Sequence, residues 1–218
     1  MAFNVAIDGP AGAGKSTIAK AVAKKMGYVY VDTGAMYRAM GLYFLRSNIA
    51  STDEEKIASV VDDINVSIKY EDGMQHVILN GEDVTGLIRT EEVGNMASAS
   101  SVYGPVRSKL VALQQELAKT TDVIMDGRDI GTVVLPNADV KVFLTASVEC
   151  RAKRRYDELV AKGEKPDFDK IAKDIEERDY RDSHREISPL KQAEDAVLVD
   201  SSDMTIDEVV NKIIDLCK

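Results

Sequence analysis

Residues 9–16 read Gly9-Pro10-Ala11-Gly12-Ala13-Gly14-Lys15-Ser16, the spacing G-x-x-x-x-G-K-[ST]. Its chemistry is the capture of phosphate by backbone N–H groups. Glycines let the chain turn tightly enough for several N–H groups to aim at one anion. A helix starting directly afterwards adds unsatisfied donors and the positive end of its dipole. Lys15 would reach the terminal phosphates, and the Ser16 hydroxyl would ligate magnesium. The flanks give the pattern its meaning. An apolar run suited to a buried strand precedes it at 3–8, and apolar residues at helical spacing follow it at 17–26. Such a loop implies a nucleoside triphosphate site.

Three further groups bear on a second substrate. Asp32-Thr33-Gly34-Ala35-Met36-Tyr37-Arg38 follows a short apolar run, so the Thr33 hydroxyl falls at the carboxyl edge of a sheet, where ligands of open α/β folds collect. Arg38 comes one helical turn later. Asp126-Gly127-Arg128-Asp129-Ile130-Gly131-Thr132 places an Arg–Asp pair between glycines at the end of another strand. Arg128 can grip a phosphate bidentately, and Asp129 can accept from an amino group or help place magnesium waters. Finally, Glu177-Arg178-Asp179-Tyr180-Arg181-Asp182-Ser183-His184-Arg185 sets Arg178, Arg181, Asp182 and Arg185 on one helical face. A solvated, salt-bridged helix is the competing reading of that segment. Against it, more than half of the arginines lie between 151 and 185. Arginine is the residue suited to bidentate phosphate grip.

Charge explains why so many would be needed. Two phosphates brought together repel by roughly 3 kcal/mol per unit-charge pair at ~5 Å and an effective dielectric of ~20. An acceptor that is itself a phosphate therefore demands more cations than a neutral sugar. Arg38, Arg128 and Arg185 on the acceptor, with other arginines of 151–181 closing on the triphosphate, fit a kinase acting on a phosphomonoester. The acceptor oxygen is already anionic, so no general base is assigned, and His76 and His184 are incidental. Another small kinase, such as a UMP or shikimate kinase, stays open on these residues alone. A nucleotide switch is disfavoured because Asn-Lys-x-Asp is absent: Asn211-Lys212 runs into Ile213-Ile214.

The elements that position these groups alternate β and α, which argues for a mostly parallel sheet covered by helices. Buried strands are expected at 4–8, 29–32, 123–126, 140–144 and 197–200. Helices are expected at 15–26, 35–45, 54–64, 106–118, 148–162, 168–185 and 206–216. Capping boxes are expected at Thr52-x-x-Glu55 and Thr205-x-x-Glu208. Residues 65–89 break the alternation. β-prone runs at 66–70 and 76–79, an Asp72-Gly73 turn and an Asn80-Gly81 turn suggest an inserted antiparallel meander.

The 218 residues suit one substantial domain, and 44% hydrophobic content suits a globular one. A formal charge of −9 argues against a protein that coats nucleic acid. No apolar run reaches the ~20 residues of a membrane span. The first residues lack a signal-peptide pattern. Cys150 and Cys217 form neither a metal-ligand spacing nor a disulfide framework. The expectation is a cytoplasmic monomer with no nucleic-acid or membrane partner.

Taken together the motifs resemble the bacterial cytidylate kinases. They are the 8–17 loop, Asp32–Arg38, Gly81-Glu82-Asp83-Val84-Thr85, Ile88-Arg89-Thr90 with Val93, the 126–134 segment, and Glu177-Arg178-Asp179 with Arg181-Asp182. The resemblance runs nearly end to end. It implies a P-loop nucleoside monophosphate kinase fold: a five-stranded parallel sheet flanked by helices, with a β-rich insertion at 63–92 for the monophosphate and a helical lid at 151–188. It implies phosphoryl transfer from ATP, with Mg²⁺, to CMP or dCMP in pyrimidine metabolism. Gly9, Pro10, Ala11, Gly12, Ala13, Gly14, Lys15, Ser16 and Thr17 would bind ATP, with Ser16 the metal ligand. By resemblance Arg38, Arg128 and Arg185 would hold the CMP phosphate. Ser98, Arg107 and Asp129 would recognise cytosine, Arg178 and Asp182 would contact the ribose hydroxyls, and Thr33 and Tyr37 would line the acceptor pocket. Lys15, Arg128, Arg181 and Arg185 would carry the catalytic charge.

Overall fold

The computed structural model describes residues 2–71 and 74–218. The chain divides into two units, one made of Met1–Tyr30 and Thr121–Lys218, the other of Val31–Thr120.

The first unit is built on a sheet. Strand β1 (Asn4–Asp8) leads into helix α1 (Lys15–Met26), and β2 (Val29–Asp32) carries the chain out of the unit. After the return come β6 (Val123–Gly127), β7 (Val140–Thr145), α6 (Val148–Ala161), α7 (Phe168–His184), β8 (Val197–Asp200) and α8 (Ile206–Leu216). The strand order is β2-β6-β1-β7-β8, with β1 parallel to both β6 and β7 and β7 parallel to β8. From Val5 to Asp8 every residue of β1 is buried, as a strand covered on both faces requires. Val5, Ile7, Ile124, Val142 and Leu144 form one apolar cluster with Ile18, Val22, Val209, Val210 and Ile213 of helices α1 and α8. Helix α1 ends at Gly27, whose φ of 74° gives a left-handed cap, with Lys24 and Lys25 in the last turn opposing the dipole. The Thr205–Glu208 capping box opens α8 in full.

The second unit holds α2 (Thr33–Arg46), α3 (Glu54–Val60), an antiparallel sheet of β3 (Val66–Glu71), β4 (Met74–Leu79) and β5 (Glu82–Asp83), then α4 (Glu91–Ser100) and α5 (Gly104–Thr120). The meander therefore forms. Asn80 and Gly81, both with positive φ, make the two-residue turn between β4 and β5. The expected Asp72-Gly73 turn lies outside the described residues. Met36, Met40, Phe44, Ile57, Ile64, Ile88 and Leu110 are fully buried here. Helix α4 crosses α2 so closely that a Cβ on Gly41 would stand 2.9 Å from the Ala97 nitrogen.

Several boundaries differ from those expected. Helix α2 starts at Thr33 rather than 35, because the Asp32 carboxylate caps it by accepting from the Ala35 N–H at 2.9 Å. Asp53, not Thr52, caps α3 by accepting from the Lys56 N–H, and its last turn tightens to 3₁₀ at Val61–Asp63. Helix α4 was not anticipated. Its Gly94, Asn95 and two serines, Ser98 and Ser100, mute the helical signal, whereas Thr90 caps it by accepting from the Val93 N–H. Helix α7 stops at His184, so Arg185 sits beyond it with extended backbone rather than on the helical face.

Candidate active site

In the first unit the loop from Gly9 to Gly14 joins β1 to α1. Gly9 has φ 149°, and a Cβ there would collide with the Leu144 carbonyl oxygen. Gly12 and Gly14 also take positive φ, at 76° and 88°. Lys15 Nζ donates to the carbonyls of Gly9 and Pro10, each at 2.7 Å. Burial holds this ammonium well below its ordinary value, and the Arg128 charge adds to the effect, while Asp126, Asp8 and Asp182 work the other way. Ser16 Oγ donates to Asp126 Oδ2 at 2.9 Å, and the Tyr30 hydroxyl donates to Asp126 Oδ1 at 2.8 Å.

The segment after β6 is pinned to the end of β1. Asp8 accepts from the N–H groups of Ile130 and Gly131 at 2.8 and 2.7 Å. Burial pushes its carboxyl up to about 6, with those two hydrogen bonds opposing the shift. A π-helical turn at Ile130–Val134 follows. Arg128 Nε donates to Asp182 Oδ2 at 2.8 Å. Burial alone would raise the Asp182 carboxyl; the cations Arg128, Arg178 and Arg185 outweigh it and hold the group below its ordinary range. Arg185 Nη2 stands 3.8 Å from Asp129 Oδ1, and its Nε donates to the Ser188 carbonyl. The structure thus brings Lys15, Arg128, Asp129, Asp182 and Arg185 into one electrostatic neighbourhood. It does not bring Arg181 in: that side chain is exposed, with Nε on the Glu177 carbonyl. Arg151 and Arg154, within the 151–181 stretch expected to close on the triphosphate, reach the loop's backbone carbonyls at Ala11 and Ala13. His184 stacks on Tyr180 and His76 pairs with Asp83.

In the second unit α2 presents Thr33, Tyr37 and Arg38. Thr33 is buried, and the Arg107 guanidinium lies 5.9 Å from the Tyr37 ring centroid, a cation–π distance. Arg107 itself is buried and donates to the Ser101 carbonyl. Arg38 packs beside Gly94 of α4, the helix that also carries Ser98. Asp32 fixes the start of α2: Arg89 Nη2 donates to its Oδ2 at 2.7 Å, its own N–H donates to Gln75 Oε1, and Gln75 Nε2 donates back to its carbonyl. Arg89 and Gln75 had no role in the reading from sequence, where only the Arg89 motif position was a signal.

A family model described as Cytidylate kinase matches residues 5–218. The chain belongs to the cytidylate kinase family. Among curated relatives, a cytidylate kinase of Caldicellulosiruptor saccharolyticus is 55% identical over 98% of this chain and 95% of its own length. One from Leuconostoc mesenteroides is 56% identical over 97% and 94%, and one from Bacillus subtilis 50% identical over 98% and 95%. Solved structures share the fold at low identity. A gluconokinase from Sinorhizobium meliloti matches with a TM-score of 0.50 at 14% identity, covering 98% of this chain and 90% of its own. A shikimate kinase from Bacteroides thetaiotaomicron does so with 0.50 at 14%, covering 99% and 98%. The fold is that of the P-loop kinases, and the family is one of (d)CMP kinases.

Members of the cytidylate kinase family transfer phosphoryl groups, usually with Mg²⁺. The residues here fit such an ion through hard oxygen donors: the Ser16 hydroxyl and the Asp126 carboxylate already face each other across a hydrogen bond. Asp126 is the group that reasoning from sequence passed over, although it stood within a quoted motif. Among the described residues no cluster of three or more His, Cys, Asp or Glu side chains could hold a metal by itself. Nor is any described helix long and apolar enough to cross a membrane.

Proposed function

We propose that the protein transfers the γ-phosphoryl group of ATP to CMP or dCMP, giving ADP and CDP or dCDP. The observation that carries the reading is the first-unit cluster in which Arg128 and Arg185, each facing a carboxylate, share the electrostatic surroundings of the loop lysine. A neutral acceptor needs no such concentration of guanidinium groups beside a triphosphate loop.

In this reading residues 9–17 cradle ATP and Lys15 neutralises its terminal phosphates. Arg38, Arg128 and Arg185 hold the acceptor phosphate, with Arg181 adding charge from its exposed position. Thr33 and Tyr37 contact the acceptor, and Arg178 and Asp182 take the ribose hydroxyls. Ser98, Arg107 and Asp129 read cytosine: the carboxylate accepts from the exocyclic amine and the guanidinium donates to O2 or N3. Uracil would set a carbonyl against the buried Asp129 carboxylate, leaving both acceptors unpaired. Ser16 and Asp126 would hold magnesium, which supplies charge neutralisation on the triphosphate. The acceptor oxygen is anionic, so attack is in line and needs no base. Phosphoryl transfer rests on positioning and charge. Residues 63–92 act as the monophosphate-binding insertion and 151–188 as a lid that excludes water. The enzyme works as a cytoplasmic monomer.

Initial rates with ATP and each nucleoside monophosphate in turn, read by ADP formation, test this. CMP and dCMP should turn over far faster than UMP, AMP or GMP. Acceptor-independent hydrolysis as fast as the CMP-dependent rate would overturn the reading.

A further inference from the structure

Arg151, in the first turn of α6, is a deeply buried cation of the first unit, with its side chain only 5% exposed. Its Nε donates to the Ala146 carbonyl at 2.9 Å. Its Nη1 donates to the Ala11 carbonyl at 3.0 Å, within the phosphate loop itself. Nη2 meets Asp179 Oδ2 of α7 at 2.6 Å. The aliphatic stem covers the same loop: a Cβ on Gly12 would stand 3.4 Å from Arg151 Cβ and 3.8 Å from its Cγ. One side chain therefore braces two consecutive loop residues, by its head and by its stem.

That brace matters because a phosphate loop works by peptide orientation. Its N–H groups must face the anion, so carbonyls such as that of Ala11 point the other way and need a donor there. Without one, the peptide is free to rotate and to present oxygen, rather than N–H, to the phosphates. Asp179 and Asp182 lie three residues apart, on one face of α7. Asp179 holds Arg151 and Asp182 holds Arg128. The helix that steadies the acceptor-side arginine thus also steadies the arginine behind the loop.

We propose that Arg151 is a positioning residue for the phosphate loop, fixing the Ala11–Gly12 backbone, and that Asp179 keeps its guanidinium in place. ATP affinity then depends on α7 through this pair. The inference rests on the reading of this loop as the ATP site.

The test compares Arg151→Met, Arg151→Lys, Asp179→Asn and the double variant Arg151→Met/Asp179→Leu, with Lys153→Ala as a control. Lys153 pairs with Asp157 on the exposed side of α6. Calorimetry with Mg–ATP and no acceptor gives affinity; steady-state rates give KM for ATP and for CMP separately. Arg151→Met should weaken ATP binding and raise KM for ATP about tenfold or more, with KM for CMP changed by less than about twofold. Arg151→Lys should recover part of the loss, and Lys153→Ala should match the wild type. Replacing both partners of a buried ion pair by apolar groups preserves folding better than removing one. The double variant should therefore melt near the wild type yet still bind ATP weakly. Asp179→Asn, nearly isosteric, should weaken ATP binding severalfold and keeps the measurement open if truncation prevents folding. Wild-type ATP affinity in the double variant or in Arg151→Met, or KM values for ATP and CMP rising together, would overturn the proposal. A wild type that binds ATP but ignores CMP would sink the functional reading alone, and the calorimetry would still decide this one.

Discussion

Arg128 Nε donates to Asp182 Oδ2 at 2.8 Å, so the segment leaving β6 is tied to α7 by a charge-assisted hydrogen bond. Arg128 stands 21% exposed and Asp182 11%, so the pair is mostly buried with part of the arginine still open to solvent.

Arg128→Ala is expected to lower kcat/KM for CMP by ~10³ or more, the scale for an arginine that stabilises a transferring phosphoryl group. ATP affinity measured by calorimetry should stay close to that of the wild type, since the hydrogen bonds described for the loop come from Lys15, Arg151 and Arg154. An Arg128→Ala variant with full turnover would remove this residue from the site.

Asp129→Asn should blur base selection. The buried carboxylate beside Arg185 is the proposed acceptor for the cytosine amine. An amide can donate as well as accept, so the ratio of kcat/KM for CMP over UMP should fall by at least about tenfold, mostly through the CMP value. An unchanged ratio would place base recognition elsewhere.

Asp8 and Asp182 should give opposite pH signatures. Asp8 is raised to about 6 by burial. Its contribution to stability is complete below the ordinary carboxylate range and is lost as pH rises through 6. Relative to Asp8→Asn, the wild type should therefore lose on the order of 3 kcal/mol between about pH 4 and 7, then level off. Asp182 is held low by its cations, so its contribution is present above the ordinary range and is lost as pH falls through the depressed value. Denaturant unfolding of both Asn variants, carried from pH 8 down to well below the ordinary carboxylate range, checks the two signs.

Gly9→Ala should be far worse than Gly14→Ala. At Gly9 an added methyl overlaps the Leu144 backbone carbonyl, whereas at Gly14 the nearest group is the Arg154 Nη1 tip at 3.8 Å. Gly14→Ala should cost about 1–2 kcal/mol for its left-handed backbone. Gly9→Ala should cost more than ~4 kcal/mol or prevent folding, the range of an irreconcilable core clash. Thermal melts separate the two.

The sheet, the phosphate loop and the meander were legible because each rests on a local signal: buried apolar runs, glycine spacing, and a turn pair at Asn80-Gly81. Hidden elements were those decided by tertiary partners. Helix α4 has weak propensity and forms where its small residues let it approach Gly41 of α2. The start of α2 was misplaced because the Asp32 cap is reinforced by Arg89 and Gln75, far away in sequence. Asp126 and Arg151 were visible as charges, but no spacing rule assigns a buried arginine to the outer side of a loop. Arg181 shows the converse: helical periodicity put it on the charged face, and the turn of α7 leaves it in solvent.

Residues of β1 and β6 pair in parallel from Asn4 opposite Val123 to Asp8 opposite Gly127. The loop at 9–14 and the Arg128 segment therefore depart from adjacent strands, a gap of about 4.8 Å set by the hydrogen-bond ladder. This ladder serves as the molecule's ruler. A slip of a single residue would turn Val5 and Ile7 to the opposite face and carry Asp8 away from both amides it holds. The spacing between the phosphate-loop motif and the Arg128 segment is thus enforced by the same pairing that the core needs in order to close.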